Sequence, residues 1–133
     1  MLVKDIMVKD PCILHEEDTV LRASKFMKEE KIRNLSVVNK EGKLVGLITL
    51  REIIETVLKN PDKIFVRDAM IKLVTYVSPE MALKEAIEIM LKNKYGCLPV
   101  VDNEKKLIGM VTEADLLKTL YKVASLPADL LKA

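Results

Sequence analysis

Gly109-Met-Val-Thr-Glu-Ala-Asp115 reads as an apolar strand that stops at a threonine and turns straight into a helix. Gly46-Leu-Ile-Thr-Leu-Arg-Glu52 reads the same way, 63 residues earlier (109 − 46). A threonine followed three residues on by glutamate or aspartate is a capping-box pattern, in which each side chain satisfies a backbone N–H of the first turn. A hydroxyl, helix-start N–H groups and a carboxylate can also hold a sugar diol and a phosphate. Both readings stand at this point.

The 63-residue offset extends outward from this stretch in both directions. Val3-Lys-Asp-Ile-Met7 falls on Val66-Arg-Asp-Ala-Met70, and Ala23 and Met27 fall on Ala86 and Met90. Leu35-Ser-Val-Val38 falls on Leu98-Pro-Val-Val101, and Lys43-Leu-Val-Gly46 on Lys106-Leu-Ile-Gly109. Apolar, turn and polar classes stay in register without a gap, so the chain is a tandem repeat. The expected boundaries are 1–60 for the first copy, 64–122 for the second and 123–133 for a tail without a counterpart. Asn60-Pro-Asp-Lys63 marks the joint.

Within each copy the apolar period changes in a fixed order. Short extended pieces are expected at 12–14 and 75–77. Acidic helix starts follow, Glu16-Glu-Asp-Thr19 and Ser78-Pro-Glu80, with Ser78 as N-cap and Pro79 in the first turn. Val20, Ala23 and Met27 then recur at helical spacing, as do Leu83, Ala86, Ile87 and Met90. Two short aliphatic runs (35–38 and 44–48; 98–101 and 107–111) are split by turn residues and predict hairpins. A second helix begins near Leu50 and near Glu113. Each copy is thus strand, helix, strand, strand, helix, an α+β unit too small to be secure alone. Two copies packed through their sheets about a pseudo-twofold axis would bury enough.

Composition narrows the function. Half of the 133 residues are hydrophobic, 32% are charged and the net charge is only +2. That balance gives no field for nucleic acid or anionic lipid. No run of 18 apolar residues offers a membrane span, and the charged start Met1-Leu-Val-Lys-Asp lacks a signal-peptide centre. A cytoplasmic protein is expected. Cys12 and Cys97 are isolated, without C-x-x-C or a histidine pair, which favours reduced structural cysteines over disulfide or zinc. No nucleophile–base pair, metal cluster or Gly-rich phosphate loop stands out, so the chain is not expected to be an enzyme.

Three features add to the second reading of the corner. Gly46 and Gly109 leave room for a close neighbour. Asp115 has a short arm, so its two oxygens can meet both hydroxyls of a vicinal diol. In Tyr95-Gly-Cys-Leu-Pro99, Gly96 and Pro99 interrupt regular pairing, and freed backbone groups there could read the edge of a flat heterocycle.

These residues resemble a pair of cystathionine-β-synthase (CBS) domains, a Bateman module. The resemblance rests on the 63-residue tandem, the Val-Lys-Asp-Ile-Met and Val-Arg-Asp-Ala-Met starts, Leu-Pro-Val-Val101 and Gly-Met-Val-Thr-Glu-Ala-Asp115. It covers about residues 1–122. It implies a non-catalytic sensor for an adenosine-type ligand (AMP, ADP, ATP or S-adenosylmethionine) held between the lobes, a homodimer, and a regulated partner protein. Carried over by residue, it implies ribose binding by Asp115, a phosphate-side hydroxyl on Thr112, and base contacts from Gly96, Cys97, Leu98 and Pro99 with Thr75 and Val77 beside them. The first copy departs from the pattern, with Glu52 for the aspartate and Ser36 for the proline. Ile13, Asn34, Leu35, Ser36, Thr49 and Glu52 would then form a degenerate second site. The alternative is a structural dimerisation module that binds no nucleotide. Arg33, Arg51, Lys94 and Lys31 could meet a ligand's phosphates from the lobe interface, but each reads first as solvated surface charge, and His15 reads as a plain surface residue.

Overall fold

A computed structural model describes residues 1–127. Its elements repeat at the 63-residue offset. In the first copy, β2 (Ile13–His15), α1 (Val20–Glu30), β3 (Asn34–Val38), β4 (Leu44–Thr49) and α2 (Leu50–Glu55) follow in order. In the second copy, α4 (Leu83–Asn93), β5 (Cys97–Val101), β6 (Leu107–Thr112) and α5 (Glu113–Ala124) correspond to α1, β3, β4 and α2. Before them come a 3-10 turn at Val3–Asp5 with β1 (Val8–Lys9), and a short α3 (Val66–Ala69).

α1 forms because Val20, Ala23 and Met27 make one buried stripe and the Thr19 hydroxyl accepts the Arg22 N–H at 3.1 Å. Its end is Lys31 in the left-handed conformation (φ 56°), and Lys94 ends α4 the same way (φ 58°). The second copy departs from expectation at its start. Ser78 is not an N-cap: residues 78–81 turn, with the Met81 N–H bonded to the Ser78 carbonyl at 3.3 Å, and α4 begins at Leu83 after Ala82. The piece at 75–77 is reduced to one parallel bridge between Val77 and Val100.

The two sheets run β2-β3-β4 and β1-β6-β5. β3 and β4 pair antiparallel, as do β5 and β6, while β2 lies parallel to β3 with α1 as the crossover. Leu14, Leu35, Val37, Ile48 and Val66 fill the first core, and Val3, Val77, Leu98, Val100 and Val111 fill the second. Between the lobes, Leu47 and Met110 (pseudo-twofold mates) pack with Cys97. The axis passes between Lys43 and Lys106, which form a bridge flanked by Leu44 N–H to the Lys105 carbonyl and Leu107 N–H to the Gly42 carbonyl, both 3.0 Å.

The leading segments are exchanged between the lobes. Val3 is fully buried in the second core, and β1 pairs with β6 through Val8–Met110 and Lys9–Gly109. The mirror contacts put Val66 in the first core and Ile71 opposite Leu47. Repeat in sequence and lobe in space therefore differ in their first residues. This exchange explains the two glycines: the close neighbour at each is protein. A Cβ at Gly109 would stand 3.0 Å from the Val8 carbonyl oxygen, and one at Gly46 would stand 3.1 Å from that of Ile71. Gly109→Val should lower stability by about 1–3 kcal/mol through overpacking, measured as a drop in the urea midpoint. An unchanged midpoint would contradict it.

Residues 128–133 of the expected tail lie outside the described residues. Among the described residues, no helix is long and apolar enough to cross a membrane.

Candidate functional site

β5 begins where β6 ends, with Cys97 opposite Thr112. α5 begins at the next residue, and its first N–H, on Glu113, donates to the Gly96 carbonyl at 3.1 Å. Here the cap and the candidate diol site share one carboxylate. Asp115 Oδ2 accepts the Thr112 N–H and the Thr112 hydroxyl, each at 2.8 Å, and the Asp115 N–H returns to Thr112 Oγ1 at 3.3 Å. The Thr112 hydroxyl is thus engaged both as donor and as acceptor. Among the described residues, nothing bonds Asp115 Oδ1. The capping box is complete and one carboxylate oxygen is left over.

The expected site residues divide by strand parity. Cys97 and Pro99 lie on the inter-lobe side with Leu47 and Met110, whereas the side chains of Leu98 and Val77 are in the second core. The Gly96 and Pro99 carbonyls do not stand free: they accept the N–H groups of Glu113 and Val77 at 3.1 and 3.0 Å. Thr75 is exposed, with its hydroxyl 3.4 Å from the Tyr95 hydroxyl. Two residues outside the expected set belong to the same corner. Tyr95 reaches Thr75, and Glu113 places Oε1 3.6 Å from where a Gly96 Cβ would be. Their only signal in the sequence is position, each standing next to an expected site residue.

The first corner has the same frame with other groups on it. Glu52 Oε1 accepts the Thr49 N–H at 2.6 Å and the Thr49 hydroxyl at 2.7 Å. Asn34 lies opposite Thr49, and Ser36 pairs with Leu47 on one side and Ile13 on the other. Leu35 is buried in the first core and Ile13 is exposed. Ser36 is fully buried, and among the described residues its hydroxyl has no hydrogen-bond partner. Arg33, Arg51, Lys94 and Lys31 are all exposed, and Arg51 Nε sits 3.6 Å from Glu55.

The two corners are close enough to share a field. The Cys97 thiol is pushed up to about 12 from the usual 9.0, first by burial, then by the carboxylates Glu113 and Glu52. Glu52 comes from the first copy, so both helix starts act on one buried thiol. Between pH 9.0 and about 12 the unfolded thiol ionises while the folded one stays protonated. Any stability tied to Cys97 is therefore present below that window and lost as pH rises through it. Alkylation of folded protein near pH 8 should modify the half-buried Cys12 first and spare Cys97, as read by mass spectrometry. Equal rates would contradict this.

Among the described residues, no group of three His, Cys, Asp or Glu side chains could hold a metal ion. A hollow of about 420 Å³ lies against α1, lined by Thr19, Arg22, Phe26 and Glu29 among others, and one of about 240 Å³ lies between His15 and Glu41. Neither touches the corner.

Comparison with known proteins gives a consistent assignment. The model of the CBS domain matches residues 3–59 and 66–122. An uncharacterised protein of Methanocaldococcus jannaschii is 33% identical over 90% of this chain and 91% of its own length. Inosine-5′-monophosphate dehydrogenase of the same organism is 38% identical over 86% of this chain, which spans only 22% of that enzyme. The crystal structure of a CBS domain pair in complex with 5′-methylthioadenosine and S-adenosyl-L-methionine superposes with TM-score 0.84 at 28% identity, covering 92% of this chain and 97% of that one. The cytosolic domain of a Mg²⁺ channel, solved in complex with ATP, superposes with TM-score 0.73 at 28% identity, covering 86% and 46%. The chain belongs to the CBS domain family and carries two copies of the domain.

Proposed function

We propose that the chain is a non-catalytic sensor module that takes an adenosine-type ligand at the corner of Gly96–Pro99 and Thr112–Asp115. One observation supports this above the others. The Asp115 carboxylate completes the cap with a single oxygen, and Oδ1 is left to accept from a ribose hydroxyl. Two structures of similar fold were solved with adenosine compounds, a CBS domain pair with 5′-methylthioadenosine and S-adenosylmethionine and the cytosolic domain of a Mg²⁺ channel with ATP. A ligand seated beside Cys97, where both lobes pack, changes their relative packing if it binds one arrangement better than another. A cytoplasmic partner protein reads that change, and the module works as a homodimer.

A second reading is favoured by a specific observation. Both capping boxes are completed by the chain's own side chains and backbone, as a purely structural dimerisation module requires. A thermal melt with AMP, ATP, 5′-methylthioadenosine and S-adenosylmethionine separates the two. A ligand present at a hundred times its dissociation constant adds about 2.7 kcal/mol. No shift with any of the four would sink the sensor reading and leave the structural one.

A further inference from the structure

Residues 1–9 belong to the first copy by sequence and to the second by contact. The Val3 N–H donates to the Met81 carbonyl at 2.9 Å and the Lys4 N–H to the Pro79 carbonyl at 3.0 Å, while the Leu83 N–H returns to the Met1 carbonyl at 2.9 Å. Lys4 Nζ pairs with Glu80 at 3.1 Å, and β1 lies on β6. Among the described residues, no backbone hydrogen bond joins residues 1–9 to residues 12–60. The segment is an arm, tied to its own copy through Asp10 and Pro11.

That tie is strained. Asp10 is held at φ 49°, in the left-handed region that few residues other than glycine adopt, and a proline such as Pro11 favours an extended residue before it. The repeat does not demand this strain. Lys31 and Lys94 (φ 56° and 58°) are mates at the 63-residue offset, and so are Gly42 and Lys105 (φ 80° and 65°). The mate of Asp10 is Leu73, which is not left-handed. Among the described residues, Asp10 alone takes this conformation without a left-handed mate. The second leading segment is also held from its other side, where the Val20 N–H donates to the Ile64 carbonyl at 2.8 Å and the Leu21 N–H to the Pro61 carbonyl at 3.0 Å.

We propose that residues 1–9 are an exchangeable arm. The place it fills between residues 77–83 and β6 takes the arm of a second copy, Asp10 straightens, and each copy closes the second core of the other. The inference does not rest on the adenosine reading. Every contact of the arm is the same whether it comes from its own chain or another, so exchange leaves the lobes unchanged and a short strained hinge favours it. Opposing it are the entropy of association and the effective concentration of the chain's own arm, on the order of millimolar. The exchanged form therefore grows with protein concentration and is set when the lobes fold.

Labelled and unlabelled whole chain, unfolded together and refolded at about 1 mM, test this by light scattering and isotope-filtered NOEs. The expected result is a dimer with cross-chain contacts from the Val3 methyls to those of Val77 and Val111, and from Val8 to Met110. Asp10→Gly takes a left-handed φ without strain. It should weaken the dimer about 30-fold, about fivefold for each of two hinges. A monomer at that concentration, or a dimer without cross-chain contacts at Val3, overturns the exchange, the latter by placing association on another face. A dimer unmoved by Asp10→Gly overturns the part given to the hinge.

Discussion

Placing an aspartate at Val3 should open the second lobe before the first. Val3 is fully buried in the core made with Val77, Leu98, Val100 and Val111, although sequence order puts it in the first copy. The substitution removes about 1.5–3 kcal/mol of side-chain burial and sets a carboxylate among aliphatic groups at a further cost of several kcal/mol. Set against a total stability of about 5–15 kcal/mol, that is enough to unfold the lobe it touches. Hydrogen exchange should then show lost protection in β5 and β6 with β3 and β4 better preserved. Val66→Asp should give the mirror result, since Val66 is fully buried in the first core. Lost protection in the first lobe for Val3→Asp would refute the exchange of leading segments.

Asp115→Ala should weaken adenosine-ligand binding by about 10–100-fold, the loss expected from one or two hydrogen bonds to a charged acceptor. It should also cost about 1 kcal/mol of stability, because Asp115 Oδ2 caps the start of α5. The two effects are separable through the other copy. Glu52 makes the same cap at α2, so Glu52→Ala should cost a similar stability and leave most of the binding at the second corner. Calorimetric titrations of both variants, with their melts, read the two quantities independently. Equal binding losses would remove the distinction between cap and site.

Much of the fold was legible because the repeat reports on itself. α1 and α4, β3 and β5, and β4 and β6 match at the offset seen in the apolar pattern. The pattern shows which face of a segment is buried, but not in which lobe. Val3 and Val66 present the same apolar side to two similar cores, and only the three-dimensional path decides between them. α4 starts later than its sequence predicts for a local reason: Ser78-Pro79 is good helix-start chemistry, but the chain first spends those residues on a turn. At the corner, the residue types were readable and their commitments were not. Thr112 looks available for a ligand in sequence, while in the structure its hydroxyl is used twice by Asp115. Gly46 and Gly109 announce a close approach, which proves to be the exchanged leading segment of the other copy.

Backbone amide shifts of labelled protein during titration with 5′-methylthioadenosine test the central claim most directly. An adenosine site at this corner predicts saturable changes concentrated at residues 95–99 and 112–115, with little change along α1. Changes confined to the hollow at Thr19–Glu30, or none at concentrations well above a millimolar, would contradict it.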